Sequence, residues 1–176
     1  MINKDTDKLA KNLVAIATKT ASLKRFYHGS PHDIERIEPK VPRKSGNFPG
    51  GHTGIYTHPT LDAAAMYALG RDKENKNRGW GVTASGKLLA LPDMPINDKG
   101  YVYEYESDNY VPPPDDHKAI GYALQGNPKL IKKHEVYSKD FQDRILRAKS
   151  KETFMDEFKD LLKEDMDKKA EAEVAT

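Results

Sequence analysis

Residues 101–106 read Tyr-Val-Tyr-Glu-Tyr-Glu, and this period of two constrains the chain more than any other stretch. Tyr101, Tyr103 and Tyr105 fall on one face of an extended segment, and Val102, Glu104 and Glu106 on the other. Aromatic side chains at alternate positions suit a half-buried pleated surface, so the tyrosines read as a sheet face rather than a stacking platform for bases. A strand of this kind needs sheet partners, and the rest of the chain must provide them.

Leu23–His28 reads as a strand closed by Gly29-Ser30-Pro31, Ile34–Ile37 as a short extended segment, and Gly54–Thr57 as a short strand. Val82–Leu91 reads as a hairpin turning at Ser85-Gly86, and Leu130–Tyr137 as a last strand carrying Glu135. Between them, Pro39, Pro42, Gly46, Pro49, Gly50 and Gly51 mark a loop over residues 39–53. Residues 70–79 are charged and aperiodic, a second exposed loop, and Pro112–Pro114 is a stiff spacer.

Three helices are expected. Leu9, Leu13, Ile16 and Ala17 give an N-terminal helix within residues 5–22, capped by Asp5 or Thr6. Thr60 caps a second, with Asp62 in its first turn and Gly70 as its stop. From Asp140 the pattern turns helical, and Ser150 precedes a stripe of Phe154, Phe158, Leu161 and Leu162. The domain reading is an N-terminal helix at 1–23, a core at 24–142 and a helical extension at 143–176 with a frayed tail. The fold class is α+β: a split, mostly antiparallel β-sandwich with flanking helices.

Composition narrows function. The 176 residues suffice for one domain with a single modest core, since 37% are hydrophobic and 32% charged. The formal charge of +2, with both signs interspersed, does not indicate nucleic acid or an anionic membrane as partner. Cysteine is absent, which removes disulfides, thiolate catalysis and thiolate metal sites. His52 and His58 lack nearby carboxylates at ligand spacing, so no metal site is expected. No apolar run approaches the roughly 20 residues that span a bilayer. The first residues do not read as a secretory signal, and the expected location is cytoplasmic. There is no GxGxxG fingerprint and no phosphate loop, which argues against Rossmann redox chemistry and nucleotide hydrolysis.

The remaining pattern is an ordered set. Phe26-Tyr27-His28-Gly29-Ser30 ends a strand, Gly54-Ile55-Tyr56-Thr57 forms another, Tyr67 follows Tyr56 by eleven positions on a helix, and Glu135 sits late in the chain. Tyrosines can hold a flat ring by offset stacking, glycine lets backbone groups approach an amide, and a carboxylate steadies positive charge developing on a ribose. A histidine ring nitrogen can hydrogen-bond a ribose hydroxyl.

Over residues 24–142 this set resembles the ADP-ribosyltransferase superfamily, in its diphtheria-toxin and poly(ADP-ribose) polymerase branch, marked by a histidine, a tyrosine and a glutamate. It is also similar to the small rifamycin-modifying ADP-ribosyltransferases in Phe26–Ser30, in Ile55–Thr57 and in Leu61-Asp62-Ala63-Ala64. The resemblance implies NAD as substrate, with His28, Gly29, Ser30, Tyr56 and Tyr67 around it. His28 would contact a ribose, Gly29 the carboxamide, Tyr56 and Tyr67 the nicotinamide, and Glu135 would be the catalytic carboxylate. Asp115 or Asp116 is the alternative carboxylate, by analogy with the rifamycin-type members. Ala64 stands where many polymerase-branch members have a serine, a contact that Ser30 or Thr57 would supply instead. Arg43 and Lys44 are candidates for the NAD phosphates. The implied activity is mono-ADP-ribosyl transfer to an acceptor, a protein being the first expectation. The alternative is a transferase-like fold that no longer catalyses and serves as a binding or packaging module. An RNA 2′-phosphotransferase of related fold would need more arginines and histidines in its strands.

Overall fold

The computed structural model describes residues 6–11, 23–39, 54–74, 79–113 and 121–175. Expectations for 12–22, for the loop at 40–53 with Arg43, Lys44 and His52, for 75–78, and for Asp115 and Asp116 lie outside the described residues. The architecture is α+β, with three small three-stranded sheets and three helices.

Helix α1 covers residues 6–11. The strands are β1 (Lys24–Ser30), β2 (Ile55–Thr57), β3 (Trp80–Val82), β4 (Leu88–Ala90), β5 (Lys99–Ser107), β6 (Tyr110–Val111), β7 (Tyr122–Leu124), β8 (Lys129–Tyr137) and β9 (Ile145–Arg147). Helices α2 (Leu61–Gly70) and α3 (Phe154–Val174) complete the described set. The sheet orders are β1-β5-β8, β2-β7-β6 and β3-β4-β9. All pairings are antiparallel except β4 with β9.

The tyrosine-alternating strand is the centre of the first sheet. In β5, Tyr103 and Tyr105 are 2% and 6% exposed, and with Phe26, Ile55 and Leu124 they form the core between the first and second sheets. Phe26 closes one end of this layer against Tyr110 and Tyr122, at ring separations of 4.9 and 5.2 Å. The opposite face of the same sheet receives α2, whose Ala63, Ala64, Ala65, Met66, Ala68 and Leu69 are fully buried with Val102 and Val136. Small side chains let the helix lie nearly on the strands: a Cβ on Gly29 would sit 1.9 Å from the Ala64 carbonyl oxygen.

Helix α2 begins where its sequence says it should. The Thr60 hydroxyl accepts the Ala63 amide at 3.2 Å, satisfying one of the free donors of the first turn. The hairpin of β3 and β4 turns at Gly86, whose φ of +84° a side chain would resist.

Five expectations are corrected. Ile34–Ile37 is not a strand; both isoleucines fold back onto the tyrosine face of the core. Strand β8 is not the last, because β9 adds in parallel to β4; three residues beside Asp143 and Arg144 carry too little alternation to announce a strand. The chain turns α-helical only at Phe154, after a 3-10 turn at Ser138–Phe141 and β9. Ser150 accepts the Thr153 amide at 3.2 Å and so caps the turn before α3, not α3 itself. The tail does not fray from 166 onward: α3 continues to Val174, since Lys, Glu and Ala are strong helix formers and Lys168 pairs with Glu164 at 2.6 Å. Phe154, Phe158 and Leu161 of the expected stripe seat α3 against Leu89 and Ala148 on the third sheet.

Candidate functional site

Among the described residues, one β-bridge joins the backbones of β1 and the segment after β2. Tyr27 and His58 exchange backbone hydrogen bonds of 2.9 and 2.7 Å, and this bridge is isolated. Peptide groups of residues two apart on a strand point to the same edge, so Gly29 turns its N–H and C=O toward β2, as Tyr27 does. In the antiparallel sense of the bridge, the residue facing Gly29 is Tyr56. The bridge does not continue as a ladder, and Gly29 is buried.

His28 is fixed beside this bridge. Its Nδ1 lies 2.6 Å from the Tyr56 carbonyl oxygen. A carbonyl only accepts, so Nδ1 carries the hydrogen, and in the neutral ring Nε2 is the acceptor nitrogen. A ribose hydroxyl is a donor of the kind that Nε2 accepts.

Strand pairing sorts the other residues onto faces. His28, Tyr103 and Lys133 form one register row across β1, β5 and β8, and Ser30, Tyr101 and Glu135 the next row on the same face. Gly29 belongs to the opposite face, where α2 packs. Tyr67 projects from α2 and is half-buried. Its ring stacks on His58 at 4.2 Å and 17° and meets Trp80 edge-on at 5.1 Å. Burial pushes its phenol up to about 12 and pushes Tyr56 upward as well.

The expected residues are therefore brought together in part. His28, Gly29 and Tyr56 come together beside the Tyr27–His58 bridge, and Tyr67, on the α2 face, stacks on His58. Glu135 shares the His28 face but stands two strands away, about 10 Å at ordinary strand spacing. It is exposed, accepts a hydrogen bond from the Tyr137 hydroxyl at 2.8 Å and pairs with Lys99 at 3.2 Å. These contacts, Tyr137 first, hold its carboxyl below the ordinary glutamate range. Ser30 is buried, its hydroxyl accepting the His32 amide at 3.1 Å, and Thr57 donates to the Tyr122 carbonyl at 3.1 Å. Ala64 is fully buried under β1.

Between His28 and Glu135 lies a group that sequence pattern does not reveal. Asp33 binds the Lys133 ammonium at 2.8 Å and lies 3.5 Å from the Tyr103 hydroxyl, which also accepts the Ile34 amide. Asp33 and Lys133 are a hundred positions apart, so only the β1–β5–β8 pairing unites them. Among the described residues, no cluster of three or more histidines and carboxylates is placed to hold a metal ion. No described helix is long and apolar enough to cross a membrane.

Comparison with known proteins finds no matching family model, no matching curated protein and no matching solved structure.

Proposed function

We propose that the chain is an NAD-dependent mono-ADP-ribosyltransferase whose site is the edge of β1 beside the Tyr27–His58 bridge. The observation that carries this reading is the 2.6 Å hydrogen bond from His28 Nδ1 to the Tyr56 carbonyl, beside the Gly29 peptide edge. It fixes a histidine tautomer suited to a ribose hydroxyl next to backbone groups suited to a carboxamide, with two tyrosines on the flanking elements. Glu135 is ionised at neutral pH and shares the His28 face, which suits electrostatic support of an oxocarbenium-like ribose. In the reaction the C1′–N bond breaks with its electron pair going to nicotinamide, which leaves neutral. An acceptor O–H or N–H then bonds to C1′ and gives up its proton. NAD is the substrate, no metal is invoked, and a cytoplasmic setting rich in NAD suits the activity.

A second reading, a transferase-like binding or packaging module without turnover, is favoured by one feature. His58 already stacks on a face of Tyr67. The test is NAD titration and nicotinamide release with the wild type and Glu135→Gln. Transfer predicts release by the wild type, and retained binding with lost release in the variant. NAD binding without release by the wild type, whether a protein, a nucleic acid or a small molecule is offered as acceptor, would leave the binding module. Absence of NAD binding would refute the site.

A further inference from the structure

The face that carries Glu135 ends in a patch of rings and ammonium groups that the proposed chemistry does not use. Tyr101 is flanked by Lys99 and Lys133, at 5.3 and 5.7 Å from its ring centre. Tyr137 is flanked by Lys99 and Lys139, at 5.6 and 5.5 Å. Tyr103 and Tyr105 are buried in the core, whereas Tyr101, at its margin, and Tyr137, at the end of β8, are partly exposed. Glu135 sits between them, paired with Lys99, and Asp33 pairs with Lys133.

We infer that this patch is an acceptor surface for single-stranded nucleic acid, a proposal that rests on the transferase reading and names its substrate class. Three features favour that ligand. Two partly exposed rings on neighbouring strands offer stacking to unpaired bases of any sequence. Ammonium groups beside each ring meet the phosphates that flank a stacked base. A phosphate drawing Lys99 away would release the Glu135 carboxylate next to the base, where it takes the N–H or O–H proton lost as the acceptor bonds to C1′. A protein acceptor would gain little from cations spaced around two rings. The whole-chain charge of +2 conceals the patch, because the acidic residues lie elsewhere on the surface as well as here.

The test is fluorescence anisotropy with labelled, unstructured DNA and RNA of about a dozen nucleotides, a length within the usual site size, at low salt and without NAD. Binding by the wild type should fall with salt at a log–log slope of about −2, as expected for three lysines on a single strand. Lys139→Glu and Tyr137→Leu should each weaken it roughly tenfold, with unfolding midpoints confirming that the variants fold. Lys168→Glu, the same charge change on α3, should leave it within about twofold. A wild type that does not bind, or a Lys168→Glu loss equal to that of Lys139→Glu, overturns the inference. Labelled NAD added to the bound oligonucleotide should mark it with the wild type and not with Glu135→Gln. Nicotinamide release with no oligonucleotide binding sinks the acceptor surface alone. Binding with no NAD cleavage sinks the transferase reading and keeps the surface.

Discussion

Replacing Gly29 by alanine separates two reasons for a glycine at the site. A glycine kept only so that a ligand can approach the backbone would tolerate a methyl group when no ligand is present. The structure gives another reason. The new Cβ would lie 1.9 Å from the Ala64 carbonyl oxygen, 2.9 Å from its carbon and 3.1 Å from the Ala68 nitrogen, all of them helix backbone. No rotamer change can relieve such a clash, so α2 as a whole must retreat by about 1.5 Å to regain ordinary contact. That movement lifts Ala64 and Ala68 from the sheet and loosens a core that includes Met66, Leu69, Val102 and Val136. Overpacking typically costs 1–3 kcal/mol, and a backbone-on-backbone clash belongs at the upper end, about 3 kcal/mol. For a chain of this length that is a fall of about 6–12 °C in Tm. Circular dichroism melts of wild type and Gly29→Ala, without NAD, measure it. Gly100→Ala, whose Cβ would meet the Ala68 Cβ at 2.7 Å, should fall in the same direction by less. A Gly29→Ala midpoint within about 1 °C of wild type would refute the helix-contact argument.

Further outcomes follow from the same contacts. Thr60→Ala removes the N-cap acceptor of α2 and should cost about 1 kcal/mol, seen as a Tm lower by about 2–4 °C. Tyr67 holds its proton to about pH 12 when folded but releases it near 10 when unfolded, so the folded state binds more protons over that interval. Stability therefore falls as pH rises from 10 to 12, by up to about 2–3 kcal/mol from this group. Urea midpoints at about pH 9 and pH 11 should fall less in Tyr67→Phe than in the wild type. His28→Ala should abolish nicotinamide release with little change in melting, because the hydrogen bond the half-buried ring gives to the Tyr56 carbonyl is worth only about 1 kcal/mol. Equal release by His28→Ala and wild type would remove His28 from the chemistry.

How far the fold can be read from sequence depends on whether its signal is local. The alternation at Tyr101–Glu106 and the Thr60 cap are written in adjacent residues, and the structure has β5 and α2 at those positions. The Ser85-Gly86 turn is equally local, because the positive φ at Gly86 singles out glycine. Strands of two or three residues have no such signature. The pair Tyr110–Val111 and Tyr122–Leu124 completes the second sheet, yet neither is long enough to show a period. At the site, Phe26–Ser30 and Ile55–Thr57 could be recognised as strand ends, whereas His58 as the ring partner of Tyr67 could not. That stack depends on how α2 lies over the bridge, which is set by glycine and alanine far apart in sequence. The same applies to Asp33 and Lys133.

The two faces of the first sheet put the proposed site at its edge. Tyr67 and the Gly29–α2 contact belong to one face, and His28, Ser30 and Glu135 to the other. A flat ligand cannot touch both sets through a hydrogen-bonded sheet. The proposed site therefore lies at the edge of β1 beside the isolated Tyr27–His58 bridge. Gly29 stands there with two tasks that point in different directions. Its missing side chain makes room for the helix, while its peptide groups turn at right angles to that, toward β2. A substitution at Gly29 should therefore damage stability first, and loss of NAD binding in that variant would be secondary. On the proposed reading His28, whose ring reaches the Tyr56 carbonyl, is the residue at which function would be removed while the fold is kept.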